Sequence, residues 1–329
     1  MSMTLEKNPS PPVNQFRLGL LLAGGSAFAF GMSGPLAKSL MTAGWSPTAA
    51  VTARLAGGAL VLAVIATVVR PGWLREARAH AGTVVAYGLV PVAGAQLCYY
   101  NAVAHLSVGV ALLLEYTSPV LVIGWLWATT KRRPQTLTLI GVALAVVGVT
   151  LVLDVFNSAR VDLVGVAWGL GAAICAVCYF MMSDKVSTDG SGLQALTLAA
   201  GSLVVATVAV VALGLSGVMP LRFTANDAVI AGMTFSWAVP VVLLGVVATA
   251  LAYTLGIGGV ARLRPGFASL AGLAEVLFAV LAAWLMLGEG LGAAQIVGGI
   301  IVLAGLALAR RGELLRENPS PGNLEQSVP

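Results

Sequence analysis

Long runs of hydrophobic residues, separated by short polar links, extend along nearly the whole chain. Each run has about 20 residues, which is the length that an α-helix needs to cross about 30 Å of hydrocarbon. The runs are too long and continuous for membrane β-strands, whose residues alternate between apolar and polar. We therefore predict an all-α, polytopic membrane protein of ten transmembrane helices. The predicted spans cover residues 17–38, 47–69, 82–104, 107–130, 135–154, 162–184, 193–215, 236–258, 266–288 and 291–309.

The second half of the sequence repeats the first. Residues 103–148 align with residues 260–305 at a constant offset of 157, which places Trp127 on Trp284. An earlier stretch repeats at an offset of 147, a difference that requires only unequal loop lengths. Each copy holds five spans, and an odd number forces the second copy to enter the membrane from the opposite side. The sequence thus predicts an inverted five-plus-five helix repeat, an arrangement typical of alternating-access transporters.

Composition and charge place the chain in a membrane and predict its orientation. The sequence is 58% hydrophobic and 9% charged, against roughly 25% charged in a soluble domain. With the amino terminus in the cytoplasm, 14 of the 18 Lys and Arg residues lie on the inside and three on the outside, which satisfies the positive-inside rule. We expect both termini in the cytoplasm of a cell-membrane protein. The predicted domains are a disordered tail at 1–16, repeats at 17–154 and 162–310, and a disordered tail at 311–329.

Three charged residues lie well inside predicted spans, namely Arg54, Glu115 and Glu275. A charge in hydrocarbon costs at least about 2.5–3.5 kcal/mol, so it normally faces a cavity or a partner. Arg54 and Glu115 are at similar depth and are predicted to pair, either as a structural ion pair or as part of a substrate site. Glu275 lies one helical turn from Gly272, the repeat equivalent of Glu115. The two glutamates are therefore predicted near the membrane midplane, where inverted-repeat transporters bind their substrates.

Other polar and aromatic residues accompany these charges. Gln96 and Tyr99 belong to the third span and Tyr253 to the eighth, while Lys38 ends the first. Tyrosines also anchor helices at the membrane interface, so their alternative role is structural. We predict that Gln96, Tyr99 and Tyr253 line a cavity and that Lys38 or Arg54 attracts a substrate carboxylate.

Three segments resemble motifs of one known family. They are the stretch from Leu285 through Glu289 to Gly298, residues 34–40 (GPLAKSL) and residues 110–119 (VALLLEYTSP). The first is similar to the end-of-helix signature of the EamA family of the drug/metabolite transporter superfamily. The other two resemble the threonine/homoserine-type amino-acid exporter branch of that family. The resemblance covers nearly the whole chain. It implies ten helices and a central cavity formed by spans one, three, four, six, eight and nine.

The predicted function is therefore export of small metabolites, amino acids or their analogues, by alternating access, with protons as a candidate coupling ion. Transport of another metabolite or a drug, in either direction, is the alternative, and a membrane-embedded enzyme is a distant one because no catalytic motif is present. Cys175 and Cys178 are spaced as CxxC, but with no second pair and no nearby histidine they predict no metal site. The sequence predicts no cofactor and no nucleic-acid partner; the expected partners are a small-molecule substrate and the lipid bilayer.

Overall fold

The computed structural model describes residues 13–131, 133–152, 162–188, 192–260 and 265–317, and it is almost entirely helical. The first half contains α1 (Val13–Gly31), α2 (Ser33–Thr42), α3 (Pro47–Val69), α4 (Trp73–Ala79), α5 (Ala81–Tyr87), a first π segment (Gly88–Gly94), α6 (Ala95–His105), α7 (Val108–Glu115), α8 (Ser118–Thr130) and α9 (Thr136–Val152). The second half contains α10 (Leu163–Thr188), α11 (Ala195–Leu215), β1 (Ala228–Ile230), β2 (Met233–Phe235), α12 (Ala238–Val242), a second π segment (Leu243–Leu251), α13 (Ala252–Val260), α14 (Pro265–Leu287) and α15 (Ala293–Glu317).

Many of these helices suit a membrane. Among the described residues, six helical segments are long and apolar enough to cross one, and four further apolar helices are shorter. Their outward faces carry large exposed hydrophobic side chains, such as Leu21, Leu60 and Val208. Such faces are expected for a chain whose surroundings are lipid, because lipid removes the need for a polar exterior.

Two bundles, each built from both halves of the chain, form the centre of the molecule. In the first bundle, α1 continues into α2 and packs against α13 and α14. In the second bundle, α10 packs against α6 and α7. The opening segment of each half therefore packs on the third and fourth segments of the other half, and α3 with α11 completes the core at one side. The pair α9 and α15 packs together alongside.

Small residues bring these helices close together, as is usual in membranes, where apolar lipid offers no hydrophobic drive for association. A Cβ added at Gly57 of α3 would lie 2.8 Å from the Cα of Gly245 in the second π segment. A Cβ at Gly169 of α10 would lie 2.7 Å from the side chain of Leu114. Backbone contact between α3 and the second π segment brings residues on these two elements within reach of each other.

The fold differs from the sequence prediction at both ends and in one connection. Helix α1 begins at Val13 and α15 continues to Glu317, so residues expected in the two disordered tails are helical. Residues 1–12 and 318–329 of those tails lie outside the described part of the chain. The all-α prediction also missed the hairpin β1–β2, in which Ile230 pairs with Met233 around a two-residue turn. Ala231 and Gly232 both have positive φ, as a tight hairpin turn of this kind requires.

The connection that carries this hairpin covers one end of the core. Trp45, which is buried, donates from Nε1 to the carbonyl of Thr224 at 2.8 Å and packs edge-on against Phe223. The backbone N–H of Ala231 donates to the carbonyl of Met286 at 2.7 Å. The connection between α11 and α12 is therefore fixed to the α2–α3 link and to the end of α14.

Candidate functional site

Four interruptions of regular helix lie within the apolar segments. The first segment breaks between α1 and α2 at Met32, and the fourth breaks between α7 and α8 at Tyr116 and Thr117. The third and eighth segments each contain a π segment, and the first π segment includes Pro91. Non-helical or π-helical backbone in a membrane segment is usually found where it faces protein or a water-filled cavity, and π turns often mark functional sites. The interruptions therefore indicate where a site lies.

Arg54 reaches from α3 into this region and is 4% exposed. Its Nη1 donates to the Oγ of Ser33 at 2.9 Å, to Oε1 of Gln96 at 2.7 Å and to the hydroxyl of Tyr100 at 3.3 Å. On the other side, Nε donates to the Oγ1 of Thr249 at 3.2 Å and Nη2 to the carbonyl of residue 248 at 3.4 Å. Five neutral oxygens from α2, α6 and the second π segment thus surround one guanidinium.

The predicted ion pair between Arg54 and Glu115 is not formed. No carboxylate of the described residues lies within 4.0 Å of the guanidinium. The prediction was wrong because equal depth does not fix the direction of a side chain around its helix: Arg54 turns towards α6 and the second π segment. Each guanidinium nitrogen thus donates at least one hydrogen bond, but no described carboxylate forms a direct ion pair with the positive charge.

Two carboxylates lie where the bundles meet. Glu275 of α14, in the first bundle, accepts a hydrogen bond from the hydroxyl of Tyr116 in the second bundle, and Oε2 lies 2.9 Å from that hydroxyl. Glu115, the last residue of α7, is partly buried and makes no hydrogen bond or ion pair with any other described residue. Because α7 ends at Glu115, this carboxylate sits at the interruption of its helix. Intramembrane carboxylates normally face a cavity or a partner and often mark substrate or proton pathways.

The aromatic residues predicted for the site differ in their accessibility. Tyr253 is partly exposed and packs edge-on against Phe30 of α1, with ring centroids 5.1 Å apart. Tyr99 is 4% exposed and packs against Tyr100 at 5.7 Å. Gln96 is partly exposed, and its amide oxygen is committed to Arg54. The structure therefore brings Gln96 to the guanidinium, buries Tyr99, and leaves Tyr253 accessible beside α1.

Lys38 lies apart from this centre, near the end of α2. Its Nζ pairs with Oε1 of Glu289 at 2.5 Å and donates to the carbonyl of Leu106 at 2.8 Å. The sequence predicts Lys38 as a ligand of a substrate carboxylate, but in the structure a carboxylate of the protein already pairs with it. The family signature contains Glu289, but nothing in the local sequence indicates its pairing with Lys38.

Tyr116, Ser33 and Thr249 were also missed as site residues. Tyr116 directly follows Glu115, and Ser33 directly follows the break at Met32. A search for polar residues beside helix interruptions would have found both of them. Thr249 gives no such signal, because its role depends on the π segment, which the hydrophobic pattern does not show.

Two carboxylates that lie outside the membrane helices of the structure, Glu76 on α4 and Asp162 just before α10, fix helix positions. Partial burial raises the pKa of Glu76, but hydrogen bonds from the Gln194 N–H and the Thr197 hydroxyl, together with Arg70, outweigh this and hold the pKa below its ordinary value. Asp162 accepts hydrogen bonds from the N–H of Gly165 and from His105, which lower its pKa. Glu76 thus ties α4 to the start of α11.

Comparison with known proteins identifies relatives along nearly the whole chain. The sequence description of the EamA-like transporter family matches twice, over residues 17–154 and 163–311. The threonine/homoserine exporter RhtA of Salmonella typhimurium is 31% identical over 275 residues, covering 82% of this chain and 83% of that protein. RhtA of Escherichia coli is 30% identical over 279 residues, covering 82% and 84%. A Bacillus subtilis transporter, YwfM, is 26% identical over 300 residues, covering 89% and 93%. One solved crystal structure aligns with a TM-score of 0.60 and 17% identity, covering 92% of this chain and 99% of that one, a likeness of fold alone.

Proposed function

We propose an export function on the premise that this chain belongs to the EamA-like transporter family. The protein is a membrane transporter of the drug/metabolite type, with relatives named as exporters. We infer that it moves small amphipathic metabolites, amino acids or close analogues, out of the cell across the cytoplasmic membrane. Movement occurs by alternating access, with the first bundle (α1, α2, α13 and α14) and the second bundle (α6, α7 and α10) rocking about a central site.

The proposed topology has ten transmembrane helices in two inverted halves, residues 17–154 and 162–310, with both termini in the cytoplasm. The exchange of segments between the bundles supports the inversion, since equivalent segments of each half pack on the opposite half. The two π segments also support it, because residues 88–94 shifted by 157 fall on 245–251, within the second π segment. The excess of Lys and Arg on the proposed inner side supports the orientation.

The carboxylate of Glu115, which has no hydrogen-bond or ion-pair partner among the described residues, carries the proposal. It lies at a helix break, and among the described residues Glu275 on the facing bundle is hydrogen-bonded to the neutral hydroxyl of Tyr116. A substrate ammonium group brings both a positive charge and hydrogen-bond donors to such a site, and a proton provides the charge when the site returns empty. Intramembrane carboxylates on opposite bundles suit this exchange because one bound cation interacts favourably with a negative charge on each bundle.

The remaining site residues serve the other parts of the substrate. Arg54 supplies a positive charge that has no direct ion pair among the described residues and favours the carboxylate of an amino acid, whereas Lys38 is held by Glu289. Gln96 holds the guanidinium and faces the same region. Tyr99 and Tyr253 border the space available to an apolar side chain, with Tyr253 the more accessible of the two.

Transport into inverted membrane vesicles tests the proposal. We expect accumulation of threonine, homoserine or related amino acids, and overexpressing cells should tolerate toxic amino-acid analogues while keeping less of them inside. Glu275→Gln and Tyr116→Phe should each lower transport at least about tenfold, which corresponds to about 1.4 kcal/mol, without loss of membrane protein. Glu76→Gln is the matched control, because it neutralises a carboxylate outside the predicted spans and should retain transport.

Two results would correct the proposal in different ways. Normal transport by Glu275→Gln would remove this carboxylate from the mechanism. Failure of every amino acid, with transport of another metabolite, would leave the transporter assignment in place and refute the amino-acid substrate.

A further inference from the structure

Lys38 and Glu289 form the shortest ion pair among the described residues, and each of them also hydrogen-bonds to the backbone of a third segment. Glu289 follows the end of α14, and Lys38 lies on α2, so both belong to the first bundle. Nζ of Lys38 donates to the carbonyl of Leu106, while Oε2 of Glu289 accepts from the N–H of Val108 at 3.1 Å. The pair therefore hydrogen-bonds to the two peptide groups on either side of Ser107, and we call these two hydrogen bonds the grip.

Ser107 lies in the short link between α6 and α7, which belong to the second bundle. The N–H of Val108 is one of the first N–H groups of α7, which have no partner within their own helix. A carboxylate at this position also interacts favourably with the positive end of the helix dipole. Both hydrogen bonds from the ion pair cross from one bundle to the other.

The side chains beneath the grip close the same boundary. Val108 is fully buried, and a Cβ added at Gly34 of α2 would lie 2.5 Å from its Cγ1. A Cβ added at Gly109 would lie 2.9 Å from Cγ2 of Val280 on α14. Helix α7 thus contacts both α2 and α14 beside the ion pair.

We propose that Lys38 and Glu289 are positioning residues that hold the outer entrance of the transport pathway closed by gripping the Leu106–Val108 backbone. The inference rests on the proposed function, because the alternating-access topology places this end of the bundles on the outside. Release of the substrate to the outside requires both cross-bundle hydrogen bonds to break. The ion pair itself stays within the first bundle, so it presents donor and acceptor again when the bundles return.

The grip gives a stricter requirement than a simple ion pair. Lysine has three donors and no acceptor, while an ionised glutamate only accepts. Exchange of the two residues, Lys38→Glu with Glu289→Lys, keeps opposite charges together. It places a carboxylate, which only accepts, near the Leu106 carbonyl and an ammonium group, which only donates, near the Val108 N–H. Neither pair of groups can form a hydrogen bond. The exchanged protein is therefore expected to keep its ion pair and lose its grip.

Labelling of a cysteine at position 108 tests the proposal without any substrate. Val108→Cys, in a protein lacking the three native cysteines, places a thiol at the α2–α7 boundary. An impermeant maleimide applied to intact cells should react slowly in this background. Glu289→Gln and Lys38→Gln should each raise the rate at least about tenfold, and the exchanged protein should react as fast as the single variants.

Asp162→Asn is the matched control. It removes an ion pair with His105 that lies at the same end of the molecule but joins α6 to the start of α10 within the second bundle. Its labelling rate should equal that of the background. Size-exclusion chromatography of each variant checks folding. Hydrogen exchange of the 106–110 backbone in the unmodified protein provides a second measurement, and saturating substrate should accelerate this exchange.

Each labelling result either supports or refutes the proposed role of the grip. Slow labelling in the exchanged protein would show that charge pairing alone closes the entrance, and would overturn the grip. The whole assignment would be overturned by any of three results. Both single variants could react as slowly as the Val108→Cys parent protein, the parent protein itself could react rapidly, or Asp162→Asn could accelerate labelling. Slow background and fast variants in a protein that transports no amino acid would support the grip while refuting the proposed substrate.

Discussion

Replacement of Arg54 by lysine should destabilise the protein at least as much as replacement by methionine. The guanidinium donates to five oxygens, whereas an ammonium has three donors and keeps at most three of these contacts. A hydrogen bond to a charged group contributes about 1.5–3 kcal/mol. Two lost contacts at the lower value give about 3 kcal/mol for Arg54→Lys.

Methionine changes a second quantity, the cost of burying the charge. The effective desolvation penalty of a buried ion is several kcal/mol, and Arg54→Met removes this penalty together with the hydrogen bonds. The hydroxyls of Ser33 and Tyr100 can rotate to new acceptors, so fewer buried groups remain unsatisfied than the five contacts suggest. We expect Arg54→Met to lower the free energy of unfolding by about 1–3 kcal/mol, from one or two unsatisfied groups.

Denaturant titration of the purified variants in detergent micelles measures this order. Arg70→Lys and Arg70→Met are the matched controls, since Arg70 is 40% exposed and pairs with Glu76 at 3.6 Å. An exposed pair contributes about 0–1 kcal/mol, so both control variants should remain within about 1 kcal/mol of the wild type. A lysine variant of Arg54 more stable than the methionine variant by over about 1 kcal/mol would refute the reasoning. It would show that the charge at position 54 is itself stabilising, through the more distant glutamates.

Three further predictions concern topology, pH and packing. Cysteines introduced at positions 3 and 325, without the native cysteines, should resist an impermeant reagent in intact cells; labelling of either would overturn the cytoplasmic placement of the termini. Because the pKa of Glu76 is lowered in the folded protein, its ionised carboxylate adds stability above the unfolded pKa of about 4.5, and this stability is lost as pH falls through the folded pKa. Glu76→Gln should therefore be less stable than the wild type at neutral pH and approach the wild-type stability below about pH 4.5. A stability difference that widens on acidification would contradict the prediction. Gly141→Ala on α9 places a methyl group against the backbone of Ala309 on α15 and should lower the free energy of unfolding by about 1–3 kcal/mol. The control Gly124→Ala has open space at its Cβ position and should lower the free energy of unfolding by less than about 1 kcal/mol. Equal losses in the two variants would contradict close α9–α15 packing.

The membrane segments could be predicted from the sequence because each depends on a local property, a run of apolar residues. The prediction of an EamA-like membrane transporter is confirmed for the same reason, since its motifs are contiguous and cover both halves. The positions of Arg54, Glu115 and Glu275 within apolar helices could also be predicted from the sequence. Their roles in binding remain predictions.

What the sequence did not reveal depends on direction around a helix or on distant partners. The Arg54–Glu115 pairing failed because depth says nothing of the direction in which a side chain points. The partner of Lys38 lies 251 residues further along the chain, and nothing near either residue indicates that they meet. The hairpin was missed because its strands have three residues each, too few for an alternating pattern to stand out.

The two π segments also bear on the history of the chain. A π turn holds one residue more than an α turn of the same height, so it is the trace that a single-residue insertion leaves in a helix. The segments occupy equivalent turns of the two halves, at Gly88–Gly94 and Leu243–Leu251. Two independent insertions would have had to strike the same turn twice, whereas one insertion in an ancestral half suffices if gene duplication came later. A single insertion in an ancestral half thus accounts for both π segments, and the second of them forms part of the cradle around Arg54.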